Sequence, residues 1–240
     1  MAFETLSMKD RIIGNPYVGR GIVIGKSQDG KKAVFAYFIM GRSENSKNRV
    51  FVENGDEIVI YPYDPSKVED PSLIIYSPVK KVGSDVIVTN GDQTDTIETF
   101  LKDGKCFKRA LKTREFEPDA PNFTPRISGI LHFDGGFTYE MSILKSADEK
   151  GSACNRFFFD YASIDGVGHF IHTYVTDGNP LPTFVGEPER VVIPNDIDEF
   201  ASEIWNNLDV NNKIALHVRY IELESGEVES VTYNVHNKEI

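Results

Sequence analysis

The segment Gly41-Arg-Ser-Glu-Asn-Ser-Lys-Asn-Arg49 sets Arg42, Lys47 and Arg49 against a single carboxylate, Glu44. Ser43, Asn45, Ser46 and Asn48 add neutral donors. A guanidinium offers a planar fork of donors that matches carboxylate and phosphate oxygens, so the stretch suits an oxyanion. It equally suits a solvated polar hairpin loop. Thr89-Asn-Gly-Asp-Gln-Thr-Asp95 joins the end of an expected strand to the start of an expected helix. Unpaired N–H groups and the positive end of the helix dipole receive anions there, although Asp92 and Asp95 can satisfy the same need by capping. Glu115-Phe-Glu-Pro-Asp-Ala-Pro-Asn-Phe-Thr-Pro-Arg-Ile127 places three acids, an amide, a threonine and an arginine on a proline-stiffened loop. Such a loop can hold a carboxylate in one geometry for proton transfer, or can be polar because it faces water.

Other chemistries have little support. His169 and His172 lie three apart in a strand pattern and so point to opposite faces, which disfavours a shared metal. His132, His217 and His236 are isolated. Cys106 and Cys154 lack CxxC spacing and a nearby base, and read as inert thiols. No Walker loop, dinucleotide fingerprint, HExxH or GxSxG motif occurs. The expected chemistry uses neither metal nor cofactor. Lys213 is a further cation to which no pattern gives a role.

Charge narrows the partners. The 37 acidic against 26 basic residues leave a net charge of −11 over 240 residues, which argues against general nucleic-acid binding. A local cationic cleft for a small anion is still compatible with that balance. With 40% apolar and 11% aromatic residues the chain has ample material for a core. No run approaches the roughly 18–20 apolar residues of a membrane span. The first residues carry no basic region followed by an apolar run, so no secretory signal is expected. Together with only two cysteines this predicts a reducing, cytoplasmic setting.

The elements that must position these groups are mostly strands. Apolar, β-branched and aromatic runs predict strands at 18–25, 32–40, 57–61, 73–79, 84–89, 126–133, 136–144, 155–163, 167–175, 213–222 and 228–235. Turn signals stand at Asp29-Gly30, Asp134-Gly135-Gly136, Asp165-Gly166 and Glu224–Glu227. Helical periodicity appears at 94–103, 106–114 and 195–208, with Asp92 or Thr94, and Asn195, as N-caps. One-sided helices and many hairpin-linked strands predict an α+β layered fold with mostly antiparallel sheets. The 178–194 stretch reads as a packed loop, so residues 1–240 are expected to form one domain.

Five stretches then occur in a telling order: Asn15-Pro-Tyr-Val-Gly-Arg-Gly-Ile-Val-Ile-Gly-Lys26, Ala36-Tyr-Phe-Ile-Met-Gly-Arg-Ser43 followed by Asn48-Arg49, Val88-Thr-Asn-Gly-Asp-Gln-Thr-Asp95, Asn122-Phe-Thr-Pro-Arg-Ile-Ser-Gly129 and Asp134-Gly-Gly-Phe137. Over about residues 15–145 this series resembles the archaeal-type inosine monophosphate (IMP) cyclohydrolase family and its bacterial relatives. The resemblance implies a four-layer αββα sandwich of the N-terminal-nucleophile-hydrolase type, and closure of 5-formamidoimidazole-4-carboxamide ribonucleotide (FAICAR) to IMP with loss of water. It implies a small purine ribonucleotide as partner, no membrane, no cofactor and a homo-oligomer. By the same resemblance Arg42 polarises the formyl oxygen or holds the base edge, Tyr76 donates to that oxygen, and Glu117 transfers protons. Arg20, Ser43, Arg49, Asn90, Thr94, Asn122, Thr124 and Arg126 become ligands of phosphate, ribose or base. Two other readings keep the fold: a catalytically silent nucleotide-binding protein, and an amide hydrolase with a processed nucleophile. The last would need cleavage, before Ser7 for example, because Met1-Ala2 supplies no nucleophile; no such processing is expected. Residues 1–14 precede the resemblance, and the part after 145 has no position-by-position match.

Overall fold

A computed structural model of the chain describes residues 4–68 and 75–236. Two antiparallel sheets and a few short helices make up the fold, as the α+β reading expects. β1 (Arg20–Lys26) and β2 (Lys32–Met40) form a hairpin in register Arg20↔Ile39 to Lys26↔Ala33. Its turn contains Gly30 at φ +75°, a left-handed value that glycine adopts without steric cost. Together with β10 (Val167–His172), β11 (Glu189–Val192), β12 (Lys213–Glu222) and β13 (Val228–Asn234) they form a six-stranded sheet in the order β11-β10-β1-β2-β12-β13. The second sheet runs β3-β4-β5-β6-β7-β8-β9. Its strands are β3 (Val50–Asn54), β4 (Glu57–Tyr61), β5 (Val79–Val82), β6 (Asp85–Thr89), β7 (Arg126–His132), β8 (Thr138–Ser146) and β9 (Cys154–Ala162).

Side chains alternate across a strand, and here that alternation distributes them between separate cores. Ile22 and Ile24 of β1 join Phe35 and Tyr37 of β2, and meet Ile127, Leu131, Tyr139 and Met141 of the second sheet. Val23, Val34 and Phe38 point the other way. They pack with Met8 and Ile12 of α1 (Met8–Ile12) and with Phe200 and Ile204 of α5 (Ile197–Asn207). A third cluster joins Ile87, Ile130 and Leu144 to Ile97 of α3 (Gln93–Lys102) and to Phe107, Ala110 and Leu111 of α4 (Phe107–Leu111). Strands buried on both faces read as unbroken apolar runs, which is why β1 and β2 stand out in the sequence. Gly129 of β7 lets the sheets approach closely, since a Cβ there would lie 2.4 Å from Ile24 Cδ1. Among the described residues no helix is long and apolar enough to cross a membrane.

Several elements differ from expectation. The strand expected at 73–79 is replaced by β5 at Val79–Val82, and residues 73 and 74 lie outside the described residues. Pro78 has no N–H to give a ladder, so regular pairing begins after it. Asp165-Gly166 links two sheets rather than closing a hairpin, because β9 and β10 belong to different sheets. β3, β11, α1 and the one-turn α2 (Glu44–Lys47) have too few residues to show a period. β11 lies inside the stretch read as a loop, bracketed by Pro188 and Pro194. The cap of α5 is Asp196, whose carboxylate accepts from Glu199 N–H at 2.8 Å. Asn195 accepts instead from Asp29 N–H, also at 2.8 Å, and ties the helix entry to the β1–β2 turn.

Candidate functional site

Strand ends and the loops leaving them enclose a cavity of about 780 Å³. Its wall comes from Tyr17 and Arg20 at the entry to β1, Arg42, Ser43, Asn45, Ser46 and Arg49 after β2, and Tyr76 before β5. Residues 90–92 between β6 and α3, Glu117, Pro118, Asp119, Asn122, Thr124 and Arg126 on the loop leading into β7, and Tyr174 and Leu181 after β10 complete it. All three stretches singled out for their chemistry therefore meet, together with Tyr76.

Two guanidinium groups define the interior. Arg20 opens β1, and its backbone N–H donates to Thr173 Oγ1 at 3.1 Å. Arg49 follows Asn48, whose side chain clasps the backbone of Asp64 through both its amide groups, at 2.8 and 2.7 Å. The Nε atoms of Arg20 and Arg49 are buried without a hydrogen-bond partner. Burial pushes the Arg20 pKa down, but Glu117 and the hydroxyls of Tyr17, Tyr174 and Tyr76 outweigh it and hold the group charged. At Arg49 burial dominates, the like charge of Arg20 adds to it, and the pKa falls. Uncompensated buried cations are costly, so this pair creates a strong local preference for an anionic or oxygen-rich occupant.

Glu117 faces the same space. Its backbone N–H is held by the Thr124 carbonyl at 2.9 Å, which closes the acidic loop on itself. Phe123, at φ +44°, and the Asp119 carboxylate complete that closure, the latter accepting from both the N–H and the hydroxyl of Thr124. Burial raises the Glu117 pKa, and Asp119 adds to the rise; Arg20, Arg126 and Arg49 oppose it without cancelling it. A carboxyl group lifted toward neutrality can both accept and return a proton.

Tyr76 Oη donates to the Asn90 carbonyl at 2.9 Å and lies 3.2 Å from Tyr37 Oη. Because Tyr76 has spent its proton, Tyr37 is the donor of that pair, and Tyr76 presents an oxygen held from two sides. Burial raises the pKa of both phenols, so both stay protonated.

The other expected residues are sorted by what they already bind. Arg42 is exposed at the mouth, where its Nη1 donates to Asp177 Oδ1 at 2.6 Å and to the Gly178 carbonyl at 2.9 Å. Its guanidinium stacks over Tyr17, which in turn stacks on Tyr174. Ser43 caps α2 by accepting from Ser46 N–H. Arg126 lies against Asp92 at 2.7 Å and Gln93 at 2.8 Å, and Asp92 also holds Arg114, so its carboxylate makes no capping bond to α3. Room for Arg126 depends on Gly91, where a Cβ would lie 2.5 Å from Nη1. Asn90 lines the cavity, but its side chain is spent on Pro125, Ile127 and Gln93. Asn122 accepts from Leu181 N–H, and the Thr124 hydroxyl is shared with Asp119 and Tyr174. Thr94 is not on the cavity: it is buried in the first turn of α3, bonded to Thr89 and the Gly91 carbonyl. Residue types alone did not single out Tyr17, Tyr174 or Leu181. Tyr17 lies within the Asn15–Lys26 stretch of the family resemblance, whereas Tyr174 and Leu181 fall in the part of the chain without a matching pattern. Among the described residues, no group of three or more His, Cys, Asp or Glu is placed to hold a metal ion.

Comparison with known proteins adds to this geometry. A family described as IMP cyclohydrolase-like protein matches residues 17–226. The chain is 35% identical over 120 residues to the IMP cyclohydrolase of Methanococcus aeolicus, covering 48% of this chain and 58% of that protein. Over 118 residues it is 35% identical to the IMP cyclohydrolase of Methanopyrus kandleri, again 48% and 58%. Against that of Methanocaldococcus jannaschii it is 31% identical over 117 residues, 48% and 56%. The chain thus spans less than three-fifths of the length of the curated relatives it matches.

Proposed function

The chain belongs to the IMP cyclohydrolase-like family, and on that premise we propose that it closes FAICAR to IMP with release of water. The observation that carries this reading is the set Arg20, Arg49 and Glu117: two buried guanidinium groups with unpartnered Nε atoms, and a carboxyl group of raised pKa, around one cavity. The curated relatives named IMP cyclohydrolase support the same choice. The two buried sheets and the three apolar clusters are what a four-layer αββα sandwich of the N-terminal-nucleophile-hydrolase type requires, in a single domain. A purine-biosynthetic step of this kind is a cytoplasmic one.

The chemistry follows from what each group has left to offer. The carboxamide nitrogen attacks the formyl carbon of the same molecule, so the protein has to hold two arms in contact rather than supply a nucleophile. Negative charge develops on the formyl oxygen, and the guanidinium groups of Arg20 and Arg49 on the cavity wall stabilise it. The departing oxygen needs two protons. Glu117 takes one from the attacking carboxamide nitrogen and returns it to that oxygen. It then passes on the proton that the formamido nitrogen releases as it forms the ring C=N bond, so the oxygen leaves as water. Tyr76, its own proton committed to Asn90, fixes the floor of the site and accepts a hydrogen bond from the base edge. Arg42 is reassigned from the formyl oxygen to the mouth, where it and Ser43 receive the phosphate.

Incubation of the purified protein with FAICAR, followed by the growth of IMP absorbance, tests the reading. Turnover is the expected result. Absence of IMP from folded protein rejects it.

A further inference from the structure

Two buried amides, Asn90 and Gln93, support the cavity wall at Arg126. Asn90 lines the cavity; Gln93, the first residue of α3, is fully buried behind it. The Asn90 side chain donates to the Pro125 carbonyl and accepts from Ile127 N–H, both at 2.9 Å. Gln93 Nε2 donates to Asn90 Oδ1 at 3.0 Å and to the Ile127 carbonyl at 3.2 Å, with Ser128 Oγ at 3.4 Å. An amide oxygen in that place would face two acceptors, so the orientation of Gln93 is fixed. Its Oε1 is thereby turned to Arg126, whose Nη1 donates to it at 2.8 Å. The two amides grip the chain on either side of Arg126, and Gln93 grips the guanidinium as well.

The charges around this grip do not cancel. Asp92 pairs with Arg126 at 2.7 Å and with Arg114 at 2.6 Å, so one carboxylate serves two guanidinium groups. The second acceptor of Arg126 Nη1 is the neutral amide, which orients the cation without compensating it. That surplus stands next to Glu117. A Cβ on Gly91 would lie 2.5 Å from Arg126 Nη1, 2.7 Å from Gln93 Oε1 and 3.6 Å from Glu117 Oε1, so the three groups converge over a residue without a side chain. Glu117 is faced also by Arg20 from β1, Arg49 from the segment after β2, Asp119 from its own loop and the Tyr76 phenol. In the proposed reaction Arg20 and Arg49 are engaged by the charge on the formyl oxygen. Arg126 is then the cation left to balance the carboxylate of Glu117.

We infer that Gln93 is a positioning residue for proton transfer: it holds Arg126 charged beside Glu117 while Arg20 and Arg49 attend to the developing oxyanion. The inference rests on the reading of Glu117 as the proton-transfer group, and its test is separable from that reading. A carbon-13 NMR pH titration of protein labelled at the glutamate side-chain carboxyl, with Glu117 assigned by its loss in Glu117→Gln, reads the group directly and without substrate. Far-UV circular dichroism checks that each variant is folded. Gln93→Glu puts a carboxylate against Arg126 and cancels its surplus charge, and is expected to raise the Glu117 midpoint by about one pH unit, a tenfold gain in proton affinity. Gln93→Met removes the acceptor and adds no charge, and is expected to raise the midpoint by a smaller step as Arg126 turns toward Asp92. The acid limb of kcat against pH should move upward with the midpoint in each variant. A midpoint that stays put in folded Gln93→Glu protein overturns the inference. Should that variant not fold, an unmoved midpoint in Gln93→Met overturns it instead. A fall in kcat with an unmoved acid limb also overturns it, since mere loss of support would do that. A wild-type chain that does not turn over FAICAR rejects the proposed function, and the titration still decides whether Gln93 governs Glu117.

Discussion

Arg20 and Arg49 in the cavity, and His217 and Arg219 on β12, are two buried clusters that share one feature. Each contains guanidinium Nε atoms sealed from solvent without a hydrogen-bond partner. Their surroundings differ. Arg219 donates to the Asp56 carbonyl at 2.8 Å and lies over the ring of Phe35. Thr232 gives its proton to Glu53, so His217 Nδ1–H must be the donor in its 2.8 Å contact with the Thr232 hydroxyl. Burial, then the neighbouring Arg219, drives the His217 pKa down to about 3, and the ring stays neutral among packed side chains. Around Arg20 and Arg49 the same kind of burial faces an open volume and a carboxyl group of raised pKa. Burial and a shifted pKa therefore do not mark a site by themselves. A site needs charge left uncompensated against a space that a ligand can fill.

Substitutions can break or sharpen that contrast. Glu117→Gln is expected to have the largest effect, lowering kcat by about 10²–10⁴-fold with little change in KM. The same change should stabilise the fold at neutral pH. Because burial raises this carboxyl above its ordinary 4.5, the native chain holds a proton that the unfolded chain releases, and stability falls as pH rises between the two values. Urea unfolding at neutral pH checks the sign: a less stable Glu117→Gln protein would contradict it.

Next come the arginines. Arg49→Met should lower kcat/KM by about 10²–10³-fold, the usual effect of removing one donor to a developing oxyanion, without lowering Tm. Arg219→Met should do the reverse. Turnover is unchanged, and the lost bond to Asp56, worth about 1 kcal/mol, lowers Tm by roughly 2–4 °C. Equal kinetic losses in the two variants would erase the distinction. Arg42→Ala should fall between them, raising KM about fivefold for the loss of about 1 kcal/mol at the mouth.

The smallest effects are on the pH dependence of stability. His217 titrates at about 3 when folded, against 6.5 when unfolded, so its contribution is present above 6.5 and is lost as pH falls toward 3. His132 behaves oppositely. Hydrogen bonds to Asp85 and Glu140 raise it to about 9, so its contribution is complete below 6.5 and is lost as pH rises through 9. Chemical denaturation across pH should show His217→Phe flattening the acid limb and His132→Asn the alkaline limb. Interchanged limbs would refute both assignments.

The local signals were read with varying success. The β1–β2 hairpin was legible because Asp29-Gly30 separates two apolar runs, and α5 because an apolar stripe recurs at helical spacing. Pro78 displaced the strand expected before it, since one missing N–H outweighs a favourable run of side chains. Asn195 and Asp196 are equally good caps by type, and only the position of Asp29 decides which of them is used. In the site, Arg42 and Arg49 were identifiable by type and Glu117 through the family resemblance, whereas the difference between Arg42 and Arg49 was not legible. Asp177 and Gly178, more than a hundred residues further along, occupy Arg42 and leave Arg49 to the cavity.

By itself the sequence determined the alternation that builds two sheets, the turns that link their hairpins, and the supply of cations and acids at strand ends. Those properties depend on neighbours within a few residues. Tertiary structure alone decided which arginines would be neutralised, that Thr94 would turn inward, and that Tyr17 and Tyr174 would meet. Each of these depends on segments brought together from distant parts of the chain, and no local period carries that information.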